Sequence, residues 1–432
     1  MLLKAAAIHS RWNHRFCEGS ESYLRSPGRV ANVWEYTEKI SPMPRKKPRQ
    51  SWGEPPWAVH FKPKSPNQEL PRAADFVVVG GGFTGLAAAA WLRRLSPRQS
   101  VVVLEAGQVG AGASGRTGGM VLAETAAGGQ PGLGDVLAGL RRTLETLGIN
   151  CDLDLRGAWE IARNSDGHSA RTRSPIEWKD SGTLRVVNEV PGGTLDPGKL
   201  VSGLAHAADR AGAQILESHR VLGINWRATP KIEVSTDGRQ RARITAGKII
   251  FATNALSLRN SGLRKDMHPR LTLAVLSAPI NEKQLEEIGL GKRKPFYTTD
   301  FPYLWGRARR DRSIVWGAGL VHSPDSDDLE AVDITDAEPA RLFDRLEQRV
   351  RHLHPALARI RFTHRWGGPI LFRDSWKPVF DWHPRCRGQK NAIVAGAYAG
   401  HGVALSSYLG KWAAEVLTGE RRNLPSWGRI DP

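Results

Sequence analysis

One stretch of about thirty residues limits what this chain can fold into more than anything else in it. Asp75-Phe76-Val77-Val78-Val79 leads into Gly80-Gly81-Gly82-Phe83-Thr84-Gly85. A run from Leu86 to Leu95 follows, and then Val101-Val102-Val103-Leu104-Glu105. The two apolar, β-branched runs predict buried parallel strands. The alanine- and leucine-rich segment between them predicts a helix that stops at Ser96-Pro97. The glycines fit GxGxxG, a weak pattern alone but a meaningful one between a strand and a helix. Gly80 permits a tight turn, Gly82 lets the backbone approach a pyrophosphate, and Gly85 lets helix and strand pack closely. Phe83 and Thr84 lie in the same turn, where the helix start offers N–H donors and partial positive charge. Glu105 closes the second strand about 20 residues beyond the glycines, where an acid accepts hydrogen bonds from ribose hydroxyls and favours an unphosphorylated ribose.

The chain continues with Ala106 and a run rich in glycine and alanine, from Gly107 through Gly112, Ala113, Ser114, Gly115, Arg116, Thr117, Gly118 and Gly119 to Met120. Such a run packs no core, but its backbone can press against a flat ligand and donate N–H groups. Further on, Leu200 to Ala213 reads as a helix. Strands are expected at 214–217, 220–224, 232–234, 243–245, 248–253 and 391–395, and a closing helix from Val403 to Leu417, stopped by Gly419. No internal repeat is visible. Residues 1–72 are rich in proline and aromatic residues with little periodicity, as in Ser41-Pro42-Met43-Pro44 and Pro55-Pro56-Trp57. That extension is expected to drape over the main body through its tryptophans or to stay partly irregular.

From Glu105 onward the sequence resembles the family of D-amino-acid oxidase, glycine oxidase and sarcosine oxidase. The pattern of a strand ending in Glu followed by GxGAS-G-R-x-GG is most similar to the branch that holds γ-glutamylputrescine oxidase. Thr117 stands where that branch usually has Asn, and Asp381 where a glycine is usual after Trp366-Gly367-Gly368 and Pro378. Three more segments carry the resemblance: 193–200 with Val221, 251–255 with Ala252 and Thr253, and Gly396-Ala397-Tyr398-Ala399-Gly400-His401-Gly402-Val403. It covers about residues 73 to 420.

The resemblance implies an α/β chain, α+β overall, with a Rossmann-like FAD-binding domain interleaved with an antiparallel-sheet substrate domain. Residues 73–140, 195–269 and 363–422 would bind FAD, 141–194 and 270–362 would bind substrate, and 423–432 would be a tail. Gly112, Ala113, Ser114, Arg116, Gly118 and Gly119 would line the flavin. Val221, Ala252 and Thr253 would pass its adenosine half, and Gly396, Gly400, His401, Gly402 and Val403 would face its pyrimidine edge. No covalent-flavin cysteine has a counterpart near 366–378, so non-covalent FAD is expected. Apart from Gly110-Ala111-Gly112-Ala113-Ser114-Gly115 inside this same glycine-rich run, no second GxGxxG is present, so the electrons are expected to come from the substrate.

The implied reaction is removal of a hydride from a carbon next to nitrogen in a small amine or amino acid. It needs alignment more than a strong base. Tyr297, Asp300, Tyr303, Trp305 and Arg307 read as one strand, with Tyr303, Trp305 and Arg307 on one face by period two. Arg307 could then bind a carboxylate, and His401 could touch substrate or flavin. These three, His401, Arg307 and Tyr303, are the expected catalytic residues. The electron acceptor could be oxygen, or a quinone or carrier protein in a dehydrogenase of the same fold.

The net charge of +19 would suit a basic flavoprotein acting on or binding RNA; a flavin-binding assembly or structural protein without turnover is a further alternative. However, the basic residues are mostly Arg, spread along the chain, and occur in short clusters such as 45–47, 292–294 and 307–312. They read as solvated positions, and nucleic acid is not the expected partner. Cys17, Cys151 and Cys386 form no CxxC pair, and no metal site is expected at His352 and His354 or elsewhere. No apolar run is long enough to span a bilayer and the start lacks a secretory pattern, so a cytoplasmic location is expected.

Overall fold

Phe76, Val77 and Val78 are almost wholly buried, and β1 (Ala73–Val79) lies inside a sheet, not at its edge. The protein is seen in a computed structural model that describes residues 52–64, 69–163, 174–236, 238, 240–263, 266–322 and 326–430, all within the unit Gln50–Pro432. The expectations for Cys17, for 41–44 and for the basic cluster at 45–47 lie outside these residues. After β1 come α1 (Phe83–Leu95), β2 (Val101–Leu104), α2 (Ala113–Arg116), β3 (Met120–Leu122), α3 (Val136–Leu147) and β4 (Ala158–Ala162). Next are β5 (Glu177–Lys179), β6 (Thr183–Val190), β7 (Gly192–Thr194), α4 (Pro197–Arg210), β8 (Gln214–Leu216), β9 (His219–Asn225), β10 (Lys231–Thr236) and β11 (Gln240–Phe251). The second half holds β12 (Met267–Ser277), β13 (Phe296–Thr298), β14 (Trp305–Ala308), β15 (Ile314–His322), α5 (Ala337–Leu353), β16 (Phe362–Arg373), β17 (Val379–Trp382), β18 (Ala392–Gly396) and α6 (Gly402–Thr418).

The first sheet runs β17-β18-β11-β1-β2-β8, with β10 and β9 added through β11. Its centre is parallel: β1 pairs with both β11 and β2, β2 with β8, and β11 with β18. Both faces of β1 are covered, as a parallel sheet requires. Phe76 and Val78 pack with α1, α3, α4 and α6, while Val77 and Val79 pack into a core shared with the second sheet. That second sheet runs β16-β12-β15-β14-β13-β4-β6-β5 and is antiparallel except where β13 meets β4.

Two sequence expectations need correction. The stretches 243–245 and 248–253 are one continuous strand, β11, which leaves Ala252 and Thr253 beyond its end. The expected single strand from Tyr297 to Arg307 is two strands, β13 and β14, joined by a turn through a cis Phe301-Pro302 peptide. Tyr303 lies in that turn and does not share a strand face with Trp305 and Arg307. Proline cannot donate to a ladder, so the strand breaks there.

Candidate FAD-binding and oxidation site

The glycine turn is built as its sequence requires. Gly80 has φ +107°, open mainly to glycine, and its N–H donates to Leu104 O at 2.9 Å. A Cβ on Gly85 would sit 2.0 Å from Gly80 O, so only glycine lets α1 pack this close to β1. Gly82 caps α1 with no side-chain bond, and the first turn holds no acid, which leaves N–H donors for an anion. Of these, Phe83 N–H donates to Ser114 Oγ at 2.9 Å, which pins the second glycine run against the first.

Glu105 accepts from Gly81 N–H at 2.7 Å on one oxygen and from Gly107 N–H at 2.8 Å on the other. Burial raises its pKa, against the pull of these two bonds. A cleft of about 340 Å³ beside it is lined by Ala106, Ser218, Arg220, Ser235 and Gly238. Val221 follows on β9, its carbonyl accepting from Asn260 Nδ2 at 3.1 Å. Ala252 N–H donates to Val79 O at 2.8 Å, which holds the chain beyond β11 against the glycine turn. Thr253 Oγ1 is buried with no hydrogen-bond partner among the described residues.

The run from Gly112 to Gly119 forms α2 and an extended exit. Arg116 turns away from the turn, donating from Nε to Ala111 O at 3.0 Å and from Nη1 to Gly53 O at 2.7 Å. A Cβ on Gly118 would strike the Trp305 ring at 2.2 Å, so the run lies flat against β14 of the second sheet. Arg307 donates from Nε to Gly118 O and is buried, with Trp57 stacked 5.9 Å from its guanidinium carbon. Burial pushes its pKa down to about 10, and among the described residues no carboxylate pairs with it. Thr117 Oγ1 accepts weakly from Gly119 N–H at 3.5 Å, and the buried Asp381 serves the C-terminal tail by accepting from Ile430 N–H at 3.0 Å.

The last motif leaves β18 at Gly396 and enters α6 at Gly402, again with no side-chain cap and no acid in the first turn. The backbone is strained here: Ala397, Ala399 and Asn254 have φ of +54°, +48° and +48°, and Asn254 Oδ1 accepts from Ala397 N–H at 3.0 Å.

 The left-handed region is costly for residues with a Cβ, so a tightly determined surrounding holds this loop in shape. His401, at its end, is partly buried, its ring edge-on to Tyr297 with centroids 6.3 Å apart. Burial lowers its pKa, so the imidazole is neutral near pH 7. Val403 begins the buried face of α6.

A row of the second sheet faces this loop. Trp305 is paired with Tyr297, Tyr297 with Glu160, and Glu160 with Asn188. Directly paired residues point to the same face. Tyr297 donates to Glu160 Oε1 at 2.9 Å, and Asn188 Nδ2 donates to Oε2 at 2.9 Å. Burial first, then the Glu160 carboxylate, raises the Tyr297 pKa.

The structure thus brings the motifs at 80–85, 105–106, 112–119, 252–253 and 396–403 to one end of the first sheet, and sets Arg307 under Gly118. Tyr303 lies on the turn between β13 and β14, 37% exposed, and adds to the upward shift of the Tyr297 pKa. Glu160, Asn188 and Trp57 were missed by sequence reasoning. Glu160 and Asn188 come from β4 and β6, whose pairing is interrupted by a register shift beside Glu160 and which carry no clean apolar alternation, and Trp57 from an aperiodic segment. Asn254 and Tyr398 lay inside recognised motifs, but nothing in their spacing gave them a partner.

These residues fit FAD. Two uncapped helix starts supply anion donors, a buried acid is positioned for ribose, Thr253 offers an unpartnered hydroxyl, and the glycines leave a cradle that side chains would fill. Among the described residues, no helix is long and apolar enough to cross a membrane.

Comparison with known proteins agrees. A family model described as FAD dependent oxidoreductase matches residues 75–416. Gamma-glutamylputrescine oxidoreductase of Escherichia coli (strain K12) is 25% identical over 396 residues, covering 82% of this chain and 86% of that protein. A probable oxidoreductase OrdL of Rhizobium meliloti (strain 1021) is 25% identical over 424 residues, covering 87% of this chain and 90% of that protein. Among solved structures, glycine oxidase from Geobacillus kaustophilus aligns with TM-score 0.63 and 18% identity over 82% of this chain and 97% of that one.

Proposed function

The chain belongs to the FAD dependent oxidoreductase family, and from that membership we propose that it oxidises the C–N bond of a small amine or amino acid to an imine that water then hydrolyses. FAD is its cofactor, and an amine- or amino-acid-like molecule its class of substrate. When bound, FAD supplies the two-electron acceptor for the hydride that leaves the substrate carbon.

The chain's own residues hold and orient. Gly82, Thr84 and Gly85 present N–H groups to the pyrophosphate, Gly80 and Phe83 shape the turn with their own N–H groups engaged by Leu104 O and Ser114 Oγ, and Glu105 with Ala106 takes the ribose end. Val221, Ala252 and Thr253 take the adenosine side, and 112–119 with 396–403 the ring. The reading makes the FAD non-covalent. It assigns 73–140, 195–269 and 363–422 to cofactor binding, and 141–194 and 270–362 to substrate binding.

On the substrate side, the row Trp305-Tyr297-Glu160 roofs the site beside His401. The amine must be neutral to give up a hydride. A neutral imidazole at His401 can accept its proton, and the Glu160 carboxylate stabilises the resulting imidazolium. Arg307 keeps Nη1 and Nη2 for an anionic group, a substrate carboxylate in this reading. Tyr303 would close the outer edge.

The observation that carries the proposal is the convergence of the two uncapped helix starts and the Glu105 carboxylate at one sheet end. The test is anaerobic mixing of the purified holoprotein with a panel of amines and amino acids. Bleaching of the flavin absorbance by a member of the panel is expected, and an unchanged spectrum with all of them would overturn the reading. Re-oxidation in air would then identify oxygen as acceptor, and its failure a quinone or carrier protein.

A further inference from the structure

We propose that residues 52–60 form a strap that fixes the backbone of the FAD-binding glycine run, with Trp57 as its positioning residue. The inference rests on the FAD reading above and extends it to a segment outside the family match, which begins at residue 75.

Gly112 to Gly119 has few side chains with which to lock itself in place, and glycine is the most conformationally free residue. Its shape must come from neighbours. Trp57 Nε1 donates to Gly115 O at 2.7 Å, and Trp366 Nε1 donates to Arg116 O at 2.9 Å. A trans peptide is planar, with its N–H opposed to its carbonyl. Fixing these two successive carbonyls therefore sets the direction of the Arg116 and Thr117 N–H groups. Arg116 adds a tie of its own through Nη1 to Gly53 O at 2.7 Å and Trp52 O at 3.2 Å.

The strap is anchored at both ends. Gly367 N–H donates to Trp52 O at 2.8 Å, Gly53 bridges to Trp366, and the Trp57 ring meets the Trp366 ring edge-on at 5.6 Å. At the far end, His60 N–H donates to Ser202 Oγ at 2.8 Å on α4. Ala58 O lies so close to Gly198 that a Cβ there would sit 2.2 Å away. Trp57 also covers the guanidinium of Arg307, which in turn holds Gly118 O. One side chain thus touches the glycine run, the second sheet and the cation beneath the run.

The experiment uses the full-length protein stripped of flavin and titrated with FAD, following quenching of flavin fluorescence well below the melting temperature of each variant. Trp57→Phe keeps a ring over Arg307 but removes the bond to Gly115. Losing one such bond is expected to raise the FAD Kd about fivefold to tenfold. Ser202→Ala loosens the far end without touching the glycine run and is expected to raise it about threefold to fourfold. A purely structural role would lower the melting temperature and leave the Kd of the folded protein within about twofold of the parent. That result in Trp57→Phe, or an unchanged Kd in Ser202→Ala should Trp57→Phe not fold, overturns the strap. An unaltered parent protein that takes up no FAD overturns the cofactor reading and the strap together.

Discussion

Thr84 and Tyr398, 314 residues apart in the chain, meet hydroxyl to hydroxyl at 2.7 Å in a buried position. Thr84 lies in the first turn of α1, and Tyr398 in the loop that opens α6. The bond therefore couples the two helix starts that face the cofactor. Gly410 tightens the same joint: a Cβ there would lie 2.4 Å from Thr84 O.

Tyr398→Phe leaves the Thr84 hydroxyl buried without its partner. We expect a loss of about 1–2 kcal/mol in stability, measured by urea unfolding. FAD affinity should fall with it, since the two helix starts lose their common fastening. Equal urea midpoints for variant and parent would refute the coupling.

Glu105→Gln separates cofactor binding from folding. The carboxylate is buried and its pKa raised, so its burial is best tolerated below its ordinary pKa and becomes more costly as pH rises through the raised value. Gln relieves the buried charge but sets its NH2 against the N–H of Gly81 or Gly107, so the two effects offset and the apoprotein's stability at pH 7 should change by no more than about 1 kcal/mol. FAD binding should weaken about tenfold or more, because the charged acceptor for ribose hydroxyls is gone. Calorimetric melting of the apoprotein and FAD titration read the two effects separately.

Asp180 sits between Arg163 and Arg349, and both arginines also donate to Pro302 O in the turn that carries Tyr303. Burial opposes the charge on Asp180, but the bonds and charges of Arg349 and Arg163 outweigh it and lower its pKa. A lowered acid contributes stability above its unfolded pKa and loses it as pH falls through the folded value, here below about pH 4. Asp180→Asn removes the charge shared by two arginines and should cost about 3 kcal/mol. It should also flatten acid unfolding in that window and raise KM by loosening the turn. Superimposable acid-unfolding curves would count against this assignment.

Cys151 is buried, and burial pushes its thiol up to about 12, with Asp152 and Asp196 adding to the shift. Only the thiolate reacts with alkylating agents. Native protein treated with iodoacetamide at pH 8 should show Cys151 unmodified by peptide mass spectrometry, and denatured protein should show it modified.

The cofactor half of the site was legible in the chain because its requirements are local. A tight turn, a close backbone approach and a helix start are set by residues within a few positions of one another, so Gly80, Gly82, Gly85 and Glu105 announce themselves by spacing. The substrate half was not. The break between β13 and β14 turns on Pro302 interrupting a pattern that otherwise alternates like one strand. The Glu160–Tyr297 bond depends on two strands, 137 residues apart, pairing in parallel.

By itself the sequence determined the β-α-β unit, its glycine turn and the acid that ends β2, since steric freedom and strand or helix propensity act along the backbone. Only the tertiary structure decided that Tyr398 reaches Thr84, that Trp57 reaches Gly115 and that Tyr297 meets His401 edge-on. Those contacts depend on sheet register and helix packing, which no local pattern encodes.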